Sequence, residues 1–417
     1  MKHLTVINTF LSRILVLALN FGLVIYSTQV WGSSGKGIIS IVIANLALIS
    51  FVSNVFVGSS TSYFASKYRK EEILSFAYIW SFLIGVTLPC IFFIFTKSEY
   101  TYYLILLSIF FSLYTANINF FVGKKDMYRY NLYTLLQQLL HILFIFFIIV
   151  FLHQNHVEVY FKALIFCYVL LFLVSFFQVF NVSKFSELHF SSSLLQDMFH
   201  YGWKTQLSAF FQFLNYRLSY YFLNFYQGIS SVGILSIGVA VSEAIWTASR
   251  SISLVLYSEV VNSSQEDENL QKTKISLKIS FWITLLFIII ILLIPSEVYV
   301  LIFGKDFNQT KIIILLLSPG ILAIAVSNVI GFYFSGINQL KILNLKSIIG
   351  LFFTVFLSIF FIPKYGIVGA CVIMSISYCI SSFILFWKFH QLTHWTFQDL
   401  LPSAEERFIL AQKWKKQ

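Results

Sequence analysis

Apolar runs of about 20 residues recur along the whole of this chain, and each is long enough to cross the hydrocarbon core of a bilayer. Nothing else in the sequence restricts the fold as strongly. A backbone in lipid must satisfy its own hydrogen bonds, and a helix does so within one segment. Hydrophobic residues make up 58% of the 417 positions and charged residues only 11%, against about one-quarter charged in an ordinary soluble domain. The expected class is therefore all-α, a polytopic membrane protein with no sizeable soluble domain. Spans are expected at 8–31, 38–64, 73–95, 102–122, 131–152, 160–181, 205–226, 234–260, 276–295, 311–334, 347–362 and 366–388.

The net charge of +11 invites a nucleic-acid reading. The basic residues instead alternate with the apolar runs, and no nucleic-acid partner is expected. With the N-terminus inside, and residues at span ends counted to the side they adjoin, nineteen of the 28 Lys and Arg fall on the cytoplasmic side, six outside and three deep within spans. Excess positive charge marks the cytoplasmic side, so both termini are placed there. Cys90, Cys167, Cys371 and Cys379 all sit inside apolar runs, without metal spacing, and read as small buried hydrophobes. The first apolar run holds Arg13 and lacks a convincing cleavage site, so it reads as a helix and not a signal peptide.

The three intramembrane cations are Arg13, Arg217 and Arg250. An Arg at a span centre costs roughly 2.5–3.5 kcal/mol on insertion scales, and such residues are functional candidates by default. Arg217 lies in the middle of the span 205–226, and Glu243 and Arg250 lie in the next. At 3.6 residues per turn Glu243 and Arg250 share one helix face, about 10 Å apart along the axis. Ser236, Trp246 and Tyr257 fall near the same stripe. Glu243 reads either as a counter-ion for Arg250 or as a carrier of a coupling H+ or Na+. His141 reads as a packed core histidine, and Pro89, Pro295, Pro319 and Pro363 as kinks or helix stops.

The start of the chain repeats this design. Arg13 is followed by Leu19, Asn20 and Phe21, and Arg217, at identical spacing, by Leu223, Asn224 and Phe225. The stretch from Gly37 to Ala44 aligns with that from Gly233 to Ala240, and in this register Asn54 falls opposite Arg250. Two matches in order argue for an internal duplication. The expected organisation is an N-terminal six-helix lobe at 1–181, a cytoplasmic linker at 182–204, a C-terminal six-helix lobe at 205–388 and a basic amphipathic tail at 389–417. Six is even, so the halves are parallel repeats about an axis along the membrane normal, as in some transporters. A surface helix attracted to anionic lipid is the expectation for the tail.

In these residues the chain resembles the polysaccharide flippases of the multidrug/oligosaccharidyl-lipid/polysaccharide exporter superfamily, in their O-antigen branch. The resemblance is carried by Arg13, Gly37, the Tyr63-Phe64-Ala65 end before a basic loop, Tyr201-Gly202, Arg217, the Glu243 to Arg250 segment, and Gly366 to Ala370. Relatives often carry an acid two residues after the helix-7 Arg, where this chain has Ser219.

The resemblance implies twelve transmembrane helices as two parallel six-helix lobes around a central cavity. It implies alternating access, with an undecaprenyl-pyrophosphate-linked oligosaccharide as substrate, membrane lipid as surroundings and other O-antigen assembly proteins as partners. The substrate would move from the cytoplasmic to the periplasmic leaflet of the bacterial inner membrane. Arg13, Arg217, Arg250, Asn20, Asn54, Asn224 and Trp246 are then the candidate pyrophosphate and sugar contacts, and Glu243 the ion-coupling candidate. The planar fork of Arg suits a pyrophosphate, and Trp246, Tyr220 and Tyr221 offer faces for sugar rings. The bland readings are snorkelling for Arg13, structural ion pairs for Arg217 and Arg250, and interhelical hydrogen bonds for the three Asn.

No cofactor, metal site or enzymatic centre is expected. A drug or cation antiporter of the same superfamily is the first alternative; it should show more intramembrane acids and fewer Arg. An integral-membrane O-antigen polymerase is the second, and it usually needs a large extramembrane loop that is missing here.

Overall fold

The computed structural model describes residues 2–180, 191–263 and 265–401, with side chains from residue 15 onward except that of residue 208. The described residues contain helices and no strands. In chain order the helices are α1 (Lys2–Val57), α2 (Ser59–Phe64), α3 (Lys70–Thr96), α4 (Thr101–Gly123), α5 (Met127–Leu152), α6 (Glu158–Val179) and α7 (Ser192–Gln227). They continue with α8 (Ile229–Asn262), α9 (Glu266–Leu293), α10 (Ser296–Phe303), α11 (Thr310–Gly336) and α12 (Leu340–Thr393). Among the described residues, nine helices are long and apolar enough to cross a membrane.

Two of those nine are long helices broken in the middle. α1 turns at Gly32, with φ 61° and ψ −164°, and α12 turns at Gly366, with φ 53° and ψ −127°. Only glycine adopts such angles without a Cβ clash. The expected gaps near 32–37 and 363–365 are thus single-residue breaks. Pro363 lies just before the second, and Pro89 and Pro319 sit inside α3 and α11.

The expected linker at 182–204 is helical from Ser192 onward and runs without a break into the span that follows. Leu194 and Met198, one turn apart, are buried in a cluster with Val55, Phe56, Phe64, Ile73 and Phe76. That tertiary contact stabilises a helix whose polar composition reads locally as a loop. The basic tail beyond residue 401 lies outside the described residues.

The chain divides into two compact units. One comprises the residues up to Phe210 with Ile302–Gly304; the other comprises Phe211–Leu301 and the residues from Lys305 onward. In the first unit Leu107, Tyr114 and Phe121 of α4 pack against Tyr133, Phe161 and Tyr168 of the neighbouring helices. Buried polar groups tie these helices together. Asn117 accepts a hydrogen bond from Tyr78 and donates to the Ser175 hydroxyl at 2.8 Å. His141, buried, pairs its Nε2 with the Tyr160 carbonyl at 3.2 Å and meets that ring edge-on, the packed histidine expected from the sequence. Cys167 and Cys371 are buried as expected, but Cys90 is exposed on α3 and Cys379 is half-buried. Cys90 projects from a helix of which only one side is covered by protein, so its small-hydrophobe reading holds for polarity and not for burial.

In the second unit α11 packs along both α8 and α12. The Ser249 hydroxyl donates to the Ala325 carbonyl at 2.9 Å, and Ser280 donates to Ser249 at 2.7 Å, joining α8, α9 and α11. Asn215 of α7, buried, accepts from Thr354 at 2.6 Å and from Ser377 at 2.7 Å. Those two hydroxyls lie on either side of the α12 break, so Asn215 links both of its segments to α7. Lys346, expected in a cytoplasmic loop, is instead buried within α12. Its ammonium donates to Ser327 of α11 at 3.2 Å.

Candidate functional site

The candidate site is built on α8 and on the part of α7 from Phe211 onward, both in the second unit. Arg217 projects from α7 towards α8, and its Nη2 donates to Oε1 of Glu243 at 2.6 Å. The Arg217 and Glu243 side chains are 22% and 33% exposed, so the pair is partly shielded yet reachable. The Tyr220 hydroxyl, one turn along α7, accepts a second bond from Arg217 Nη1 at 3.3 Å. The guanidinium also lies over the Tyr220 ring, 5.3 Å from its centroid, within cation–π range. A guanidinium has five N–H donors. Glu243 and Tyr220 use two of them among the described residues.

Glu243 therefore faces Arg217 on the neighbouring helix and is not the counter-ion of Arg250 that their shared helix face suggested. Arg250 is exposed and makes no salt bridge among the described residues. It lies close enough to act electrostatically on Tyr216.

Aromatic rings flank the pair. Trp246, buried on α8, packs against Tyr216 of α7 at 5.5 Å between centroids. Tyr378 of α12 meets Tyr216 edge-on at 5.2 Å and Trp246 at 6.2 Å. Gln212 donates to the Tyr216 hydroxyl at 2.6 Å and holds that ring in place. The Tyr378 hydroxyl is buried without a hydrogen-bond partner among the described residues. Ser219 is likewise fully buried and its hydroxyl has no described partner.

The structure thus brings together Arg217, Glu243 and Trp246. Asn224 is further along α7 and exposed. Asn20, exposed, and Asn54, half-buried, belong to the first unit. The side chain of Arg13 lies outside the described residues. Sequence reasoning missed Tyr216, Gln212 and Tyr378 at this site. Tyr216 precedes Arg217 and could have been found from that adjacency; Tyr378 carries no local signal. No cluster of His, Cys, Asp and Glu suited to a metal occurs among the described residues.

This geometry can hold an anion. Arg217, paired with Glu243, stands among aromatic faces where a lowered dielectric strengthens attraction, and Arg250, exposed on α8, adds positive charge within electrostatic reach of Tyr216.

No family model matches the chain, and no curated protein matches it in sequence. Solved structures do match. The lipid II flippase MurJ, in an inward closed conformation, is similar with a TM-score of 0.76 at 16% identity, over 99% of this chain and 92% of that one. A multidrug resistance MATE family transporter of the MOP superfamily, inward-facing, is similar with a TM-score of 0.70 at 14% identity, over 91% and 94%. The eukaryotic MATE transporter AtDTX14 is similar with a TM-score of 0.64 at 14% identity, over 92% of each chain. The chain therefore has the fold of MOP-type transporters. The solved structures that share it here are flippases and transporters, not enzymes.

Proposed function

We propose that this protein is a flippase for an undecaprenyl-pyrophosphate-linked O-antigen oligosaccharide, moving it from the cytoplasmic to the periplasmic leaflet of the inner membrane by alternating access. The single observation that carries the reading is the Arg217 guanidinium, held inside an apolar helical unit with aromatic rings around it. A pyrophosphate is a dense anion that Arg binds through parallel N–H donors, and sugars stack on aromatic faces. The likeness in fold to a lipid II flippase supports a lipid-linked substrate. The likeness to MATE transporters keeps multidrug or cation antiport as the second reading, but a cationic ligand would be repelled by a site in which two Arg outnumber one Glu. Coupling to an H+ or Na+ gradient is part of the proposal, with Glu243 as the carboxylate. The test is deletion followed by assay of each leaflet for lipid-linked oligosaccharide. Accumulation in the cytoplasmic leaflet and loss of surface polysaccharide are expected; an unchanged distribution between leaflets refutes the flippase.

The same proposal places both termini in the cytoplasm with twelve crossings. These arise when α1 and α12 each cross twice about their glycine breaks and α7 also spans. Reporter fusions after Lys97, His156, Gly228, Lys305 and Lys364 should read periplasmic. Fusions after Lys70, Lys125, Ser192, Glu268 and Lys346 should read cytoplasmic. Reversal at two consecutive loops overturns the crossing count.

A further inference from the structure

We infer that Glu243 holds the position of the substrate's phosphate on Arg217, so that an anion and a proton bind this site together. The inference rests on the proposed anion site and adds how that site exchanges charge.

The argument starts from the pair itself. The Glu243 carboxylate already makes a short, charge-assisted bond to Arg217 Nη2 at 2.6 Å, so an incoming dianion meets a guanidinium whose charge is balanced. Two outcomes are open to it. It can displace Glu243, which then stands as an unpaired carboxylate beside apolar surface. It can instead use the remaining Arg217 donors and sit next to Glu243, putting three negative charges around one guanidinium within about 5 Å, where repulsion is strong in low dielectric. Both outcomes are relieved by the same event. A proton from solvent forms an O–H bond on the Glu243 carboxylate, and it returns to solvent when the anion leaves and the ion pair re-forms. Anion binding and protonation therefore favour one another. By linkage each strengthens the other by the same factor.

Among the described residues, the other groups that act electrostatically on the pair or on its tyrosines are Tyr216, Tyr220 and Tyr221 on α7, Arg250 on α8, and Cys371 and Tyr378 on α12. Tyrosine, cysteine and arginine side chains ordinarily keep their charge state between about pH 5.5 and 7.5. Glu243 is the carboxylate among them. The exchange requires that Glu243 be reachable by water, and its side chain is 33% exposed. Arg250, exposed and without a salt bridge among the described residues, adds attraction for the anion without competing for Glu243.

The test uses the full-length protein in lipid nanodiscs. The probe is methanedisulfonate, a pyrophosphate-shaped dianion whose charge does not change with pH. Binding is measured calorimetrically at pH 5.5 and 7.5, in pairs of buffers with different ionisation heats, so that proton uptake is counted directly. For the wild type the expected result is uptake of up to one proton per anion and tighter binding at the lower pH. Glu243→Gln should bind about tenfold more tightly at pH 7.5 than the wild type, because no charged competitor remains on Arg217. It should show neither proton uptake nor pH dependence. Glu243→Ala repeats the measurement without an amide near Arg217. Arg217→Ala, alone and combined with Glu243→Ala so that no carboxylate is left unpaired, should lose binding. If wild-type binding depends on Arg217 yet takes up no proton and matches Glu243→Gln in affinity, this inference fails and the anion site stands. If no variant binds the probe, or Arg217→Ala binds as the wild type does, the anion site itself fails.

Discussion

Arg217→Ala is expected to abolish surface polysaccharide while the protein still accumulates in the membrane. The substitution removes the cation that the proposed function assigns to the pyrophosphate. Removing the Arg partner of a shielded, hydrogen-bonded charge pair with the pyrophosphate costs about 2–5 kcal/mol, so transport should fall by roughly thirtyfold or more. Arg217→Lys should keep part of the activity, since the charge survives and the planar fork does not. Part of the loss in Arg217→Ala could come from stability, because Glu243 is left without its partner. The double variant Arg217→Ala, Glu243→Ala separates the two effects. It should recover thermal stability, since the unpaired charge is gone, without recovering transport. Arg250→Ala should also lose activity, and its exposed side chain makes a stability effect small. Normal polysaccharide from the double variant Arg217→Ala, Arg250→Ala at ordinary expression would sink the anion site.

Gly202→Val is expected to leave almost no folded protein. A Cβ on Gly202 would lie 1.8 Å from the Val55 carbonyl oxygen and 2.6 Å from the Ser60 hydroxyl. Neither can yield easily. Val55 is backbone inside α1, and the Ser60 hydroxyl donates to both the Val55 and Met198 carbonyls. Overpacking against side chains that can move costs about 1–3 kcal/mol; against a fixed carbonyl the cost should reach about 3 kcal/mol or more. Size-exclusion profiles of detergent-solubilised, fluorescently tagged protein provide the measurement. A wild-type monodisperse peak and an unchanged melting temperature would show that α7 does not need this close approach. The same contact gives a physical reason for the Tyr201-Gly202 pair that stood out in the sequence. The Tyr201 ring stacks on Tyr63 at 4.4 Å while Gly202 lets the two backbones meet.

The membrane class and most helix positions were legible in the sequence because crossing a bilayer is a local property. Twenty apolar residues in a row must satisfy their own backbone wherever the rest of the chain goes, and helices such as α3, α4 and α6 fall where the apolar runs lie. Arg217, Glu243 and Arg250 could be singled out for the same reason, since a charge in an apolar run is conspicuous without any neighbour. Which of them pair was not legible. A helical projection compares residues on one helix, and it set Glu243 beside Arg250; packing of α7 on α8 gives Glu243 to Arg217 instead. The polar first turns of α7 looked like a loop until Leu194 and Met198 found a hydrophobic cluster from distant segments. Lys346 looked like a loop cation because nothing near it in sequence shows that α12 begins six residues earlier and lies against Ser327. Tyr378 joins Tyr216 and Trp246 across more than 130 residues of chain. Local hydrophobicity decides whether a segment enters the membrane, but the partner of a charge or an aromatic ring inside it is set by which helix faces meet, and only the tertiary structure holds that information.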